Sequence, residues 1–182
     1  MKTGRVIRIF SAKDGRKVVL RTPKWEDLDD LLELINSLVE EGAEISKNEK
    51  VSREAEIEWL SKTLASLEKN EIFFLVAEVD EKVVGSSDIH PLGGFSKHVG
   101  VVGIIIKKGF REIGIGTEVL KTLVEQAQKM GLKILTLSAF ATNKRALHIY
   151  EKAGFARTGI IPKKHFKDGK YIDEIIMTKV LE

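Results

Sequence analysis

Residues 98–131 read HVGVVGIIIKKGFREIGIGTEVLKTLVEQAQKMG, and no other stretch constrains the fold as much. Residues 98–106 are almost continuously apolar, as a strand covered on both faces would be. From 117 to 130 the period changes. Val119, Leu120, Leu123, Val124 and Ala127 recur at helical spacing, and Gly131 supplies a helix stop. Gly109, Gly114 and Gly116 lie between the two segments. A buried strand turning through glycines into an amphipathic helix belongs in an α/β arrangement, not in an all-helical or all-β chain.

The flanks read as further strands and helices. Residues 5–10 and 17–21 form a hairpin about Asp14-Gly15. Thr22-Pro23 ends it and starts a helix whose inward face is Leu28, Leu31, Leu32, Ile35, Leu38 and Val39. A polar loop spans 40–50, and Ser52 caps a second helix with Ile57, Leu60, Leu64 and Leu67 inward. Strands follow at 72–79 and 83–89, then a glycine-bearing loop at 91–95. After the central unit come a strand at 133–138, a helix at 143–153 ended by Gly154, and strands at 155–161 and 170–180 around Asp168-Gly169. No repeat or linker interrupts this order, so residues 1–182 are expected to form one domain.

Composition removes several chemistries. The 182 residues are 43% hydrophobic and carry 30 Lys+Arg against 27 Asp+Glu, a net +3. So small an excess does not by itself point to nucleic acid. With no cysteine, disulfides, thiolate zinc sites and a cysteine-linked acyl intermediate are excluded. The four histidines lack H-x-x-x-H spacing, so no metal is expected. The segment MKTGRVIRIF lacks a signal-peptide core, and no apolar run reaches the roughly 18 residues of a membrane span. A cytoplasmic protein that binds neither membrane nor nucleic acid is expected.

The loop Arg111-Glu112-Ile113-Gly114-Ile115-Gly116 is the candidate for chemistry. The first turn of a helix has free N–H groups and a partial positive charge. Glycines let an oxyanion approach the backbone, and Arg111 adds a full charge. From these six residues alone, tight packing of helix on strand explains the glycines as well as phosphate binding does. The G-x-x-x-x-G-K-[ST] loop is absent, and so is G-x-G-x-x-G with its acidic partner.

Taken over its full length, VGIIIKKGFREIGIGTEVLKTLVEQAQKMG resembles the acetyl-CoA-binding motif of the GNAT superfamily of N-acetyltransferases, whose signature is Arg or Gln, two residues, Gly, one residue, then Gly or Ala. Downstream, LTLSAFATNKRALHIYEKAGFARTG resembles the second motif of that family. The two cover roughly residues 99–159. The resemblance implies a central, mostly antiparallel mixed sheet of about seven strands with helices on both faces. It also implies transfer of an acetyl group from acetyl-CoA to a primary amine, with a homodimer possible.

Carried over residue by residue, the resemblance gives the pantetheine arm to the backbone of Ile104, Ile105 and Ile106. It gives the pyrophosphate to the N–H groups of Arg111, Glu112, Ile113, Gly114, Ile115 and Gly116, with Thr117 at the helix start. Asn143 caps the second helix and lies near the pantetheine, and Ala146 is small where the cofactor passes. Tyr150 would protonate the leaving thiolate as general acid, although a core aromatic is the structural alternative. The sequence departs from two branches of the family at the general base. Histone-type members carry a Glu where this chain has Gly100, and ribosomal alanine-acetylating members one where it has Ser138. Candidates for the base are Glu78, Asp88, His90, His98, Glu40, Glu41 and Glu44, with water relay as a further route. His165, Tyr171, Asp173 and Glu174 are candidates for the acceptor pocket. Two competing readings are a non-catalytic acyl-CoA sensor and a nucleotide-binding protein using the same loop.

Overall fold

The computed structural model describes residues 1–181. The hairpin forms as β1 (Val6–Ser11) and β2 (Lys17–Arg21). A 3-10 turn, Trp25–Asp27, leads into α1 (Leu28–Glu40). Ser52 caps α2 (Arg53–Glu68), its Oγ accepting from the Ala55 N–H at 3.2 Å. β3 (Phe73–Val79), β4 (Lys82–Pro91) and β5 (Val99–Ile106) follow. α3 (Ile115–Lys129) carries the chain to β6 (Ile134–Phe140), and α4 (Lys144–Lys152) to β7 (Ala156–Lys167) and β8 (Lys170–Val180).

Among the described residues there are eight strands, the number read segment by segment and one more than the about seven that the resemblance implies, in a single sheet of order β1-β2-β3-β4-β5-β6-β8-β7. Only β5 and β6 run parallel, because the α3 crossover returns the chain in the same direction. All other neighbours are antiparallel. The alternation of β3 builds a core on each face of the sheet. Phe73, Leu75, Ala77 and Val79 pack toward the side that includes α3 and α4. Phe74 and Val76 pack against Leu31, Leu34 and Leu38 of α1 and Leu60 and Leu67 of α2.

Four details differ from the sequence reading. α1 begins at Leu28 rather than directly after Pro23, because the 3-10 turn Trp25–Asp27 comes first and Asp27 pins it. Asp27 is buried, accepts two bonds of 2.7 Å from the Arg21 guanidinium and one of 2.9 Å from the Lys24 N–H. The buried face of α1 centres on Leu31, Leu34 and Leu38, leaving Leu32, Ile35 and Val39 half-buried. β5 is not covered on both faces, since Gly103–Ile106 is half-buried. β7 extends six residues past 161 through an irregularity between Ile161 and His165. A bulge there absorbs Pro162, which an edge strand tolerates.

Candidate active site

β5 and β6 pair at only three positions, Val99↔Ile134, Gly100↔Leu135 and Val101↔Thr136. Beyond these, β5 stays bonded to β4 and β6 to β8, so the two strands separate like the arms of a V. The peptide edges that face each other across the opening have no ladder partner. A cleft of about 980 Å³ occupies the V. Ile104, Ile105 and Ile106 line one arm, and Ser138, Ala139 and Phe140 the other. The glycine loop closes one end. The 41–46 loop after α1 and the β7–β8 hairpin contribute further walls.

Local conformation explains the loop. Gly114 is the N-cap of α3 with φ +96°, a left-handed geometry that a side chain resists. Glu112, at φ +66°, is left-handed as well. Left-handed residues bend a loop, and bends of this kind can turn successive N–H groups toward one anion. Gly116 is small for another reason. A Cβ there would stand 3.2 Å from Ile149 Cδ1 and 3.4 Å from Ile106 Cδ1, so the helix packs on its neighbours at this point. Ile115 is fully buried in the core and Ile113 packs against it, and neither residue lines the cleft.

Arg111 lies in the cleft but is not a free cation. Its Nε donates to the Ile106 carbonyl at 2.7 Å, and its guanidinium pairs with Glu41. It therefore ties the loop to the end of β5 and to the end of α1. Unpaired charge at this end comes from a residue the sequence reading missed. Lys13, in the β1–β2 turn, lines the cleft beside Gly114. Its backbone N–H donates to the Ile113 carbonyl at 2.9 Å, and Arg16 donates to the Gly109 carbonyl while stacking over Phe110. No local sequence signal marks Lys13, because only tertiary contact brings this turn to the loop. Among the described residues Lys13, Lys144 and Lys152 line the cleft without an ion pair.

α4 presents the second motif. Asn143 caps it, with Oδ1 accepting from the Ala146 N–H at 3.1 Å, which leaves the Asn143 amide nitrogen free to donate into the cleft. Ala146 and Thr117 also line the cleft. Tyr150 is only 6% exposed and packs with Phe155 in the core, yet its residue borders the cleft. Burial raises its phenol to about 12. The hydroxyl has no hydrogen-bond partner among the described residues, so it holds a proton at neutral pH and has nowhere in the protein to place it.

The base candidates separate into two groups. Glu78 is held by Arg21 at 2.8 Å, Asp88 and His90 pair with each other at 2.9 Å, and Glu40 pairs with Lys50 at 2.6 Å. None of these lines the cleft, and neither does His98. Glu41 and Glu44 do, the latter bonded to the Thr142 hydroxyl. Of the hairpin candidates, His165 and Glu174 reach the cleft. Tyr171 is exposed against Phe166, and Asp173 accepts from the Lys163 N–H at 2.8 Å. Gly100 is a packing position, since a Cβ would fall 2.8 Å from both Ile89 Cγ2 and Leu132 Cδ1. No carboxylate fits there.

The acetyltransferase (GNAT) family pattern matches residues 28–155, which includes the V, the loop and both α3 and α4. The chain belongs to this family. As a GNAT member it is an acyltransferase. Among curated relatives, the Bacillus subtilis protein YwnH, named as a candidate phosphinothricin acetyltransferase, is 27% identical over 168 residues, 90% of this chain and 99% of YwnH. Several other curated GNAT relatives are longer, and the chain spans about half their length or less. Among solved structures, the ribosomal-protein-alanine N-acetyltransferase of Brucella melitensis is 26% identical with a TM-score of 0.79, over 89% of this chain and 99% of that one. The Salmonella typhimurium protein yncA, solved with its cofactor acetyl-CoA, superposes with a TM-score of 0.79 at 19% identity, over 91% and 94% of the two chains. No helix among the described residues is long and apolar enough to cross a membrane. No group of three or more metal-ligating side chains occurs among them.

Proposed function

We propose that the cleft binds acetyl-CoA and that the protein transfers its acetyl group directly to a primary amine. The observation that carries this reading is the V itself. It offers two unpaired strand edges that lead from the glycine loop to a protonated, unpartnered phenol. A pantetheine arm carries amides that add to a strand edge as another strand would. The backbone of Ile104, Ile105 and Ile106 supplies that edge. The N–H groups of residues 111–116, with Thr117 at the start of α3 and Lys13 beside them, receive the pyrophosphate. Asn143 donates toward the pantetheine, and Ala146 keeps α4 from blocking its path.

Binding both substrates side by side supplies proximity and orientation. The amine nitrogen attacks the thioester carbonyl carbon, a C–N bond forms, and the C–S bond breaks. Tyr150 donates its proton to the departing sulfur and recovers one from the attacking nitrogen as the amide forms. Burial keeps the phenol protonated until the thiolate develops, so the proton is present when the sulfur departs.

The test is calorimetric titration with acetyl-CoA and with ATP, followed by thiol release across a panel of primary amines. Acetyl-CoA binding with amine-dependent thiol release is expected. Acetyl-CoA binding without turnover on any amine would make the protein a sensor. Stabilisation by ATP alone would overturn the reading.

A further inference from the structure

Opposite the donor arm of the cleft, three elements build a site around one buried carboxylate. Glu174 on β8 is 7% exposed. It accepts from Lys164 Nζ at 2.5 Å and faces His165 Nε2 at 2.9 Å, with the Ser138 hydroxyl of β6 beside it. Burial alone would raise this carboxyl. The bonds from Lys164, His165 and Ser138 outweigh burial and hold it below the usual carboxylate range, so it is ionised. In the neutral ring, an ionised Glu174 accepts the Nε2 hydrogen, and the lone pair is then on Nδ1. The ring is fixed by a stacked contact with Phe140, 3.7 Å between centroids and 14° between planes. The bulge between Ile161 and His165 lets Lys164 and His165, adjacent in sequence, reach the same carboxylate. His165, Glu174, Ser138 and Phe140 all line the cleft that Tyr150 borders.

We propose that His165 is the general base that removes a proton from the acceptor ammonium, and that Glu174 is its positioning residue. The proposal rests on the acetyl-transfer reading above. It also identifies the acceptor class. A weakly basic amine is already neutral near pH 7 and needs no base, whereas an aliphatic primary ammonium must lose a proton before it can attack. The acceptor is therefore an aliphatic primary amine. The proton balance closes. One proton passes from the ammonium to His165 Nδ1 and then to solvent. The second, on the attacking nitrogen, replaces the proton that Tyr150 gave to sulfur. The imidazole faces Glu174 from β8, which also holds Lys164 of the same strand as His165, and Lys167, two residues on and paired with Asp168, lines the same cleft. Across the cleft stand Glu44, bonded to Thr142, and Glu41, bonded to Arg111.

The experiment compares His165→Ala with wild type on two nucleophiles, an aliphatic amine and hydroxylamine, which is neutral at the assay pH. Loss of a general base should lower kcat on the aliphatic amine by about 10²–10⁴-fold. Acetyl-CoA affinity should stay within about twofold, hydroxylamine turnover should fall by less than about tenfold, and free imidazole should restore part of the rate. Glu174→Gln should shift the acidic limb of the kcat/KM profile while leaving the acetyl-CoA dissociation constant unchanged. Equal losses on both nucleophiles, or unchanged kcat with a lower melting temperature, would reduce the pair to a structural clamp of the hairpin and overturn the proposal. If wild type itself releases no thiol with any amine, the acetyl-transfer reading fails first, and the two failures are distinguished.

Discussion

Replacing Tyr150 by Phe isolates one proton. The ring stays, so the contacts with Phe155 and the core stay. The hydroxyl has no partner among the described residues, so its removal strands no buried donor or acceptor. Stability should therefore change by less than about 1 kcal/mol. The catalytic effect should be much larger. With a pKa of about 12, the phenol is ionised in only about one molecule in 10⁴–10⁵ near pH 7.5, so nearly every enzyme molecule carries the proton. A positioned general acid contributes about 10²–10⁴ in rate, or about 2.7–5.4 kcal/mol of transition-state stabilisation. The expected result is a fall in kcat of that size in a thiol-release assay, with the acetyl-CoA dissociation constant from calorimetry unchanged. Turnover equal to wild type would refute the general-acid role. A matching loss of acetyl-CoA affinity would refute it as well, by showing that the hydroxyl binds the ground state.

The same phenol makes stability fall at high pH. Its folded pKa lies above the ordinary value of 10, so the unfolded chain loses this proton first and unfolding becomes easier from pH 10 toward 12. The difference between wild type and Tyr150→Phe in alkaline denaturation should reach about 2–3 kcal/mol, and parallel curves would contradict the buried phenol. Arg21→Ala removes the cation bonded to Asp27 and Glu78, both of which keep their carboxylates. Breaking one partner of such a buried cluster costs about 3–5 kcal/mol, so calorimetry should show the melting temperature lower by about 6–20 °C. Gly114→Asp tests the anion site. A Cβ there meets nothing closer than Lys13 Cγ at 3.8 Å, so the cost of a side chain is the left-handed φ of +96°, about 1–2 kcal/mol, and Gly114→Ala measures that strain alone. The fold should survive while like charge weakens acetyl-CoA binding by about 100-fold or more, and an unchanged dissociation constant would move the pyrophosphate elsewhere.

Contiguous segments were the legible part of this protein. The strand–loop–helix unit at 98–131, the caps at Ser52 and Asn143, the stop at Gly131 and the closing turn at Asp168-Gly169 each depend on residues a few positions apart. Propensity, period and capping act over that range. The glycine loop and the second motif follow the same logic, so the residues proposed for the donor end could be named from local sequence. Where the reading slipped, a distant partner intervened. Asp27, at the N-cap of α1, turns its carboxylate to Arg21 instead of capping the helix, and Pro162 interrupted an alternation that the sheet restored through a bulge.

The sequence by itself determined the order of elements, the family and the loop where the donor's phosphates are proposed to lie. Only the tertiary structure decided how far β5 and β6 stay paired, and hence that the cleft opens at residues 102 and 137. It alone brought Lys13 to Gly114 and closed Arg111 onto Glu41, 70 residues away. It alone set Ser138, His165 and Glu174 around one another. These are contacts between side chains far apart in the chain. Their geometry depends on sheet register and helix packing, which no local pattern of residues encodes.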